Sequence, residues 1–184
     1  MLILIDGCDK TGKSSIISDI SAVLPGMPIF KNNTKPEDKK EFTIGKLVGI
    51  YLGAYRAAMM KGSTIFDRSH ITEIVYSHRR GYSSLEHFDW FAYEEEVLLG
   101  NAVVIYMSAP KELIHKRFKE DKETYVDPKE IEGILDRYDD YLGMTSLPVL
   151  QLSSTEDRQK NLLDAVTFLT NHKLQEVPSW TSRK

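Results

Sequence analysis

The sequence predicts an α/β fold in which a five-stranded parallel sheet lies between two layers of helices. Short apolar runs that suit buried strands alternate with longer segments whose apolar residues recur at helical spacing. A glycine-rich loop joins the first strand to the first helix, and 184 residues are enough for one domain with a substantial core. We therefore expect a single domain over residues 1–172, followed by a loosely held polar tail over residues 173–184.

Composition and charge exclude several classes of protein. Hydrophobic residues make up 41% of the chain and charged residues 28%, which is typical of a globular domain. The net charge of −3 provides no basic field for nucleic acid or for an anionic membrane surface. The first apolar run stops at Asp6 with no basic segment before it, and no run approaches the ~20 residues of a membrane span. With one cysteine, Cys8, we expect a protein of the cytoplasm, or of the host cytoplasm if the source is a virus.

The first strand, over residues 1–5, leads into a phosphate-binding loop over residues 7–14. The loop reads Gly-Cys-Asp-Lys-Thr-Gly-Lys-Ser, which matches the full pattern G-x-x-x-x-G-K-S/T. Its glycines let backbone N–H groups turn inward around phosphate oxygens, and the following helix, over residues 14–24, adds free donors at its N-terminus. We therefore predict that the chain binds a nucleoside triphosphate, with Mg²⁺ on the hydroxyl of Ser14. The expected ATP-binding residues in this segment are Gly7, Asp9, Lys10, Thr11, Gly12, Lys13, Ser14 and Ser15.

The remaining strands and helices follow in alternation along the chain. Short runs rich in β-branched or aromatic residues and bounded by turn formers predict strands over residues 27–31, 63–67, 102–108 and 148–152. Helical spacing predicts helices over about residues 38–61, 69–79, 85–99, 110–121, 128–142 and 156–172. Right-handed crossovers then give a parallel sheet with its ligand at the carboxyl ends of the strands.

Asp67 and Arg68 end the third predicted strand, at the same edge of the sheet as the phosphate loop. An acid there can hold the Mg²⁺ shell or orient an attacking oxygen, and an arginine suits bidentate capture of an acceptor phosphate. The alternative is an acid that caps a helix beside a solvated arginine, although Ser69 can serve as that cap. The chain contains neither an N-K-x-D guanine motif nor a strand that ends in two adjacent acids, which argues against a GTPase and a hexameric ATPase.

These residues resemble the thymidylate kinase family. The segment from Asp6 to Ser15 is similar to that family's loop, D/E-G-x-D-R-x-G-K-S/T, with Lys10 in place of the arginine that reaches the transferred phosphoryl group. The resemblance implies that Asp9 holds the sugar 3′-hydroxyl of the acceptor. Asp67 and Arg68 match the first two residues of the family's D-R-Y, and Ser69 stands in place of the tyrosine. The resemblance covers about residues 1–155 and implies a three-layer P-loop kinase fold.

Weaker similarities extend this resemblance to the acceptor and to a lid. Residues 30–36 are similar to the family's F-R-E-P, with Lys31 in place of the arginine, and residues 52–56 resemble F-A/S-A-x-R. The resemblance implies that Arg56 bonds the base edge. A charged stretch lies where nucleoside-monophosphate kinases place a mobile lid, here around residues 115–127. The lid arginine would be Arg117, which would also bind ATP. The resemblance implies that Tyr125 lies near the sugar 2′ edge and favours deoxyribose.

The leading interpretation is a deoxynucleoside monophosphate kinase that moves the γ-phosphoryl group of Mg·ATP to a pyrimidine deoxynucleotide, namely dTMP, dUMP or a 5-modified analogue. The compact, divergent chain also suits a phage member of the family. The expected catalytic residues are Lys13, Lys10, Asp67 and Arg117, and the expected acceptor-binding residues are Asp9, Lys31, Arg56, Arg68 and Tyr125.

Three other interpretations stay open. The triplet Asp67-Arg68-Ser69 also resembles the D/E-R-S of deoxynucleoside kinases, whose hydroxyl acceptor needs a carboxylate base such as Glu37 or Asp67. The protein could instead phosphorylate a modified base in DNA, or be a non-catalytic ATP-binding module.

The aromatic stretch over residues 88–93 is expected in the core or on the surface of a homodimer. The five histidines show no metal-ligand spacing, so no zinc site is expected.

Overall fold

Five parallel strands form one sheet in a computed structural model, which describes residues 1–31, 44–77, 92–120 and 127–172, and only the backbone of residues 44–48. The strands are β1 (Leu2–Asp6), β2 (Ile29–Lys31), β3 (Thr64–Asp67), β4 (Ala102–Ser108) and β5 (Val149–Ser153). They lie in the order β2-β3-β1-β4-β5. The prediction of a five-stranded parallel sheet is confirmed.

Helices follow the strands in alternation. They are α1 (Lys13–Val23), α2 (Ile44–Met59), α3 (His70–Val75), α4 (residues 92–98), α5 (Lys111–Glu120), α6 (Ile131–Met144) and α7 (Arg158–Asn171). A 3₁₀ turn, Pro128–Glu130, leads into α6, with Asp127 as its N-cap. The predicted three-layer α/β fold is thus confirmed. No described helix is both long enough and apolar enough to span a bilayer.

Strand β1 shows why the sequence forms a central strand here. All five of its residues are buried because β3 and β4 flank it and helices cover both of its faces. The apolar pattern placed its end at residue 5, but the strand continues to Asp6, which pairs in register with Tyr106 of β4. The edge strand β2 is exposed in comparison, with Ile29 at 49%.

The two faces of the sheet carry two separate core clusters. On the face that we call the aliphatic face, Ile3 and Ile5 of β1 pack against α1 and α7. On the opposite face, which we call the aromatic face, Leu2 and Leu4 pack in one cluster with residues of α2, α3, α4, α5 and α6. Because side chains alternate along a strand, Asp6 belongs to the aromatic face. The phosphate loop therefore begins where the strand meets both faces.

Candidate active site

The phosphate loop between β1 and α1 adopts a conformation that requires glycine at two positions. Gly7 has φ +143°, and a Cβ atom there would collide with the carbonyl oxygen of Met107. Gly12 has φ +95° and is the N-cap of α1. The motif's two glycines are therefore explained by a close backbone approach and by a left-handed cap.

Lys13 lies inside this loop, where the backbone holds its ammonium group. Nζ donates to the carbonyl oxygens of Gly7 at 2.8 Å and Cys8 at 2.6 Å. Burial lowers the pKa of Lys13 to about 8, and the nearby charge of Arg68 acts in the same direction. Thr11 is also buried and donates to the Cys8 carbonyl at 2.8 Å.

A cavity of about 850 Å³ opens beside the loop, and most of the predicted site residues line it. It spans the carboxyl ends of the strands, from the loop after β3 to the loop after β5, as expected for a parallel sheet. The structure brings together around it Asp9, Lys10, Gly12, Lys13, Ser14, Ser15, Lys31, Asp67, Arg68 and Arg117. Gly7 and Thr11 belong to the loop but are not in this lining.

Two ion pairs mark the end of the cavity near β2 and β3, which we call the acceptor end. Arg68 pairs with Asp9, and Lys31 lies 3.0 Å from Asp67. Burial would raise the pKa of Asp9, but Arg68 and Lys13 hold it below its ordinary value. Burial likewise opposes the charge on Arg68, but Asp9 raises the pKa of the guanidinium above its usual value. Both groups of this pair are therefore charged.

The backbone at the acceptor end is unusual. Lys10 has φ +67° and Arg68 has φ +72°, and no other non-glycine residue among the described ranges has a positive φ. Such conformations are sparsely populated by residues with a side chain, and they cluster at functional sites. The helix cap after Arg68 is Ser69, whose side chain accepts from the Ile71 N–H at 3.2 Å. Asp67 is therefore not the cap and remains in the cavity wall.

The other end of the cavity, which we call the donor end, lies near β4 and β5. Arg117 of α5 donates to the carbonyl of Lys10 at 2.6 Å and to Ser154 Oγ at 3.0 Å. Arg158 of α7 pairs in bidentate fashion with Asp19 of α1, at 2.8 and 2.6 Å. The predicted lid arginine is thus connected to the phosphate loop. Ser154 and Arg158 escaped the sequence reasoning, although their place just after a strand's carboxyl end is the signal that indicates them.

Other predicted residues lie elsewhere. Arg56 is exposed on α2 and is not among the residues that line the cavity. Its neighbours Tyr51 and Tyr55, the aromatic residues flanking Leu52, are buried in the core of the aromatic face. Tyr125, Glu37 and residues 121–126 of the expected lid lie outside the described residues, as do residues 32–36 and 88–91.

Oxygen ligands for Mg²⁺ are available in the cavity. Ser14, which is exposed at the start of α1, and Asp67 both line it. Mg²⁺ in nucleotide sites keeps several waters and takes one or two protein oxygens plus phosphate oxygens, so this donor set fits the ion. In the part of the chain that the structure describes, no group of three or more His, Cys, Asp or Glu residues is arranged to hold a metal.

No protein-family model matches the chain, and no curated protein sequence matches it at a significant level. Solved structures do match. The YorR protein of Bacillus subtilis, in complex with phosphorylated GDP, has a TM-score of 0.74 and 23% identity, and the match covers 93% of this chain and 96% of that one. Deoxyadenosine kinase from M. mycoides with bound dATP has a TM-score of 0.64 and 19% identity, covering 92% of this chain and 100% of that one.

A gluconokinase from Sinorhizobium meliloti is similar at 12% identity, with a TM-score of 0.60 and coverage of 92% of this chain and 91% of that one. A deoxyadenosine kinase and a gluconokinase differ in acceptor, and identities this low carry no information about the substrate of this chain. The TM-scores of 0.60 to 0.74 over more than nine-tenths of each chain show a shared fold. The chain therefore has the fold of the P-loop kinases.

Proposed function

We propose that the protein is an ATP-dependent kinase that transfers the γ-phosphoryl group to a pyrimidine deoxynucleoside monophosphate. The observation that carries the proposal is the single cavity whose wall contains both the phosphate loop and Arg68. Phosphoryl transfer requires little covalent chemistry and depends on cations placed around the migrating group. Four cationic residues line this cavity and would supply such charges, namely Lys10, Lys13, Arg68 and Arg117.

At the donor end, Lys13 would exchange the carbonyls of Gly7 and Cys8 for the β- and γ-phosphates. Backbone N–H groups of the loop and of the first turn of α1 would hold the remaining phosphate oxygens. Ser14 and Asp67 would hold Mg²⁺, which neutralises charge on the β- and γ-phosphates when it is bound. Arg117, which donates to the Lys10 carbonyl and to Ser154 Oγ, would exchange these partners for the transferred group.

At the acceptor end, Arg68 would bind the acceptor phosphate through two parallel N–H donors. Asp9, its present partner, would then be released to accept from the sugar 3′-hydroxyl. Lys31 adds a second cation where β2 ends, which suits an acceptor that carries negative charge. Such a phosphate is already ionised at neutral pH, so the transfer needs no strong general base.

A deoxynucleoside kinase is the second candidate. The observation that favours it is the pair of carboxylates, Asp9 and Asp67, in the acceptor end, because a hydroxyl acceptor requires a base within reach. The other two alternatives are a kinase for a modified base in DNA and a non-catalytic ATP-binding module, and no described feature of the structure specifically favours either.

The experiment is a panel of acceptors incubated with the purified protein and Mg·ATP. The panel holds the deoxynucleoside monophosphates of all bases, the matching deoxynucleosides, and a short DNA strand with modified bases, and ADP release is followed with each. We expect turnover with dTMP or dUMP. Turnover with deoxynucleosides alone would establish the second candidate, and ATP binding without turnover on any acceptor would leave a binding module.

Asp9→Asn separates the two kinase classes. Asparagine keeps the size of the side chain but accepts only a neutral hydrogen bond, so we expect a roughly ten- to thousand-fold loss of kcat/KM for the deoxynucleotide. A 3′-deoxy acceptor should be poor with the wild-type protein and lose little more in the variant. Unchanged phosphorylation of the nucleotide would move the nucleoside kinase ahead, with Glu37 or Asp67 as its base.

A further inference from the structure

Asp6 is a fully buried carboxylate between the phosphate loop and the acceptor end of the cavity. Its Oδ1 accepts from the backbone N–H of Ser69 at 3.3 Å and from the hydroxyl of Thr72. Its Oδ2 accepts from the hydroxyl of Ser69 at 2.6 Å. All three bonds reach one short segment, which begins immediately after Arg68. Because Asp6 is buried and does not line the cavity, it cannot touch a substrate itself.

The backbone of Arg68 explains what these bonds do. Its φ of +72° lies in the left-handed region, which a residue with a long side chain keeps only where its surroundings fix it. Two hydrogen bonds bracket the residue: its own N–H donates to the Ile5 carbonyl at 3.0 Å, and the next N–H donates to Asp6. Consecutive residues of β1 therefore hold the turn that directs the guanidinium into the cavity.

The same buried network also reaches the donor half of the loop. Thr72 Oγ1 lies 3.2 Å from the hydroxyl of Tyr138, which donates to the Gly7 carbonyl at 3.1 Å. That carbonyl is one of the two oxygens that hold Lys13. Asp6 is joined to the segment that follows Arg68 by three hydrogen bonds, whereas its connection to the phosphate loop passes through Tyr138 alone. Removing the Asp6 charge should therefore disturb Arg68 first.

We propose that Asp6 is a positioning residue for Arg68: its carboxylate fixes the strained turn so that the guanidinium faces the acceptor. The inference rests on the proposed function in one respect, that Arg68 binds the acceptor. The two can fail separately. A wild-type protein without acceptor turnover defeats the proposed function, whereas this inference fails on the behaviour of Asp6 variants in a protein that does turn over.

The first measurement compares Asp6→Asn with the wild type. Asparagine keeps the volume but replaces one acceptor oxygen with a donor, so the hydroxyl of Ser69 loses its carboxylate partner. We expect the acceptor KM to rise about ten-fold while the dissociation constant for ATP stays within about two-fold. Thr72→Val removes only one bond to Asp6 and should give the same pattern at about three-fold.

Glu95→Gln is the matched control. Glu95 is also a buried carboxylate with three donors, namely the hydroxyls of Tyr141 and Thr145 and the Ser146 N–H at 3.0 Å. It makes no direct bond to residues 69–72, and its described connection to that segment runs through Tyr141 to the ring of His70 rather than to Ser69 or Thr72. A general loss of stability should appear in both carboxylate variants, but the acceptor KM should change only in Asp6→Asn.

A double-mutant cycle tests whether Asp6 acts through Arg68. In an Arg68→Lys background, Asp6→Asn should raise the acceptor KM by less than about two-fold further, because the group that it positions is already altered. The proposal would be overturned if the fold-changes of the two single variants multiply in the double variant. It would also be overturned if Asp6→Asn raises the ATP dissociation constant as much as the acceptor KM, or leaves the acceptor KM unchanged. If Asp6→Asn does not fold, the same cycle with Thr72→Val decides it by the same outcomes.

Discussion

The two faces of the sheet use different chemistry, although the same strands supply both. The core of the aliphatic face consists of isoleucine, valine, leucine, methionine and alanine, with Ile16, Ile17 and Ile20 as the contribution of α1. The aromatic face buries tyrosines together with ionisable groups, which include Asp6, His70, Glu94 and Glu95. The helices of the first face pack mainly through apolar contacts, with one ion pair between Arg158 of α7 and Asp19 of α1 at the surface. The second face joins its helices through buried hydrogen bonds.

This difference follows from what each face positions. Helix α1 begins at the phosphate loop, where most donors to phosphate belong to the backbone, so apolar packing that fixes the helix suffices. The aromatic face lies beneath Arg68, a single long side chain two residues before α3, and directed bonds are required to aim such a side chain. Apolar packing is non-directional and cannot do this alone.

His70 shows how directed the aromatic face is. Its backbone N–H donates to the hydroxyl of Tyr55 at 3.1 Å, and the same hydroxyl lies 2.8 Å from Nδ1. The hydroxyl of Tyr141 donates to Glu95 and lies 3.0 Å from Nε2 of His70. We therefore assign the proton of the neutral ring to Nε2, which donates to Tyr141, so that Nδ1 accepts from Tyr55. One chain of bonds thus joins α2, α3, α6 and α4.

The largest effect on activity should come from the phosphate loop, which leads into α1 of the aliphatic face. Lys13→Ala removes the ammonium that would neutralise charge between the β- and γ-phosphates, and we expect kcat to fall roughly 10²- to 10³-fold or more with any acceptor. Because α1 is held by isoleucines, the melting temperature should change little. Steady-state kinetics and a thermal scan check both points. Wild-type kcat in the variant would contradict the assignment of the loop as the donor site.

Arg68→Lys should affect the acceptor side alone. Lysine keeps the charge but loses the planar fork and its two parallel bonds, so we expect the acceptor KM to rise roughly ten- to hundred-fold. The ATP KM should hardly move. Initial rates with each substrate varied in turn measure the two constants. Equal rises in the acceptor KM and the ATP KM would mean that Arg68 does not act on the acceptor alone.

The pH dependence of stability should come from the aromatic face. Burial lowers the pKa of His70 from 6.5 to about 3 and raises the pKa of Glu94 from 4.5 to about 8. Below pH 6.5 only the unfolded chain protonates His70, so the free energy of unfolding falls as pH drops toward 3. Above pH 4.5 only the unfolded chain ionises Glu94, so the free energy falls as pH rises toward 8.

Between pH 4.5 and 6.5 the two contributions cancel, and stability should be greatest there. Below this window His70 alone changes the free energy of unfolding, and above it Glu94 alone does so, each by about 1.4 kcal/mol per pH unit. Urea denaturation across pH measures the slopes. Glu94→Gln should remove the alkaline fall, and His70→Gln the acidic one. An unchanged alkaline fall in Glu94→Gln would show that other groups cause it.

The smallest effect should come from the aliphatic face. Ile20 is fully buried against the sheet, and Ile20→Val removes one methylene group, for which we expect a loss of roughly 0.5–1.5 kcal/mol. The loss should be the same at every pH, because the aliphatic cluster contains no titrating group. Urea denaturation at two pH values tests this. A pH-dependent loss would mean that the two faces are energetically coupled.

The local features of this chain were predictable, and the distant ones were not. The phosphate loop depends on φ values at Gly7 and Gly12, and the glycines that allow them stand in the sequence as a short pattern. Arg68 and Asp9 could each be assigned to a site because both follow strands. Their pairing, across 59 positions, required the fold.

Asp6 shows the limit most clearly. As a charged residue it marked the end of an apolar run, and nothing near it in sequence indicates its partners, which lie 63 and 66 positions away. Ser154 escaped for the same reason, since its contact with Arg117 spans 37 positions. Arg56 was assigned by similarity to a short motif; it is exposed on α2, and its contact with the base stays a prediction.

The buried amine of Lys13 has a consequence for proton exchange with the solvent. With a pKa of about 8 in the free protein, much of it is uncharged in mildly alkaline solution. Phosphate oxygens beside it would favour the charged form, so nucleotide binding above about pH 8 should draw a proton from the buffer. Titration calorimetry at that pH should then report a heat that differs between buffers of different ionisation enthalpy. Nucleotide occupancy would decline as the surroundings become alkaline, which makes the loop responsive to local pH as well as to nucleotide concentration.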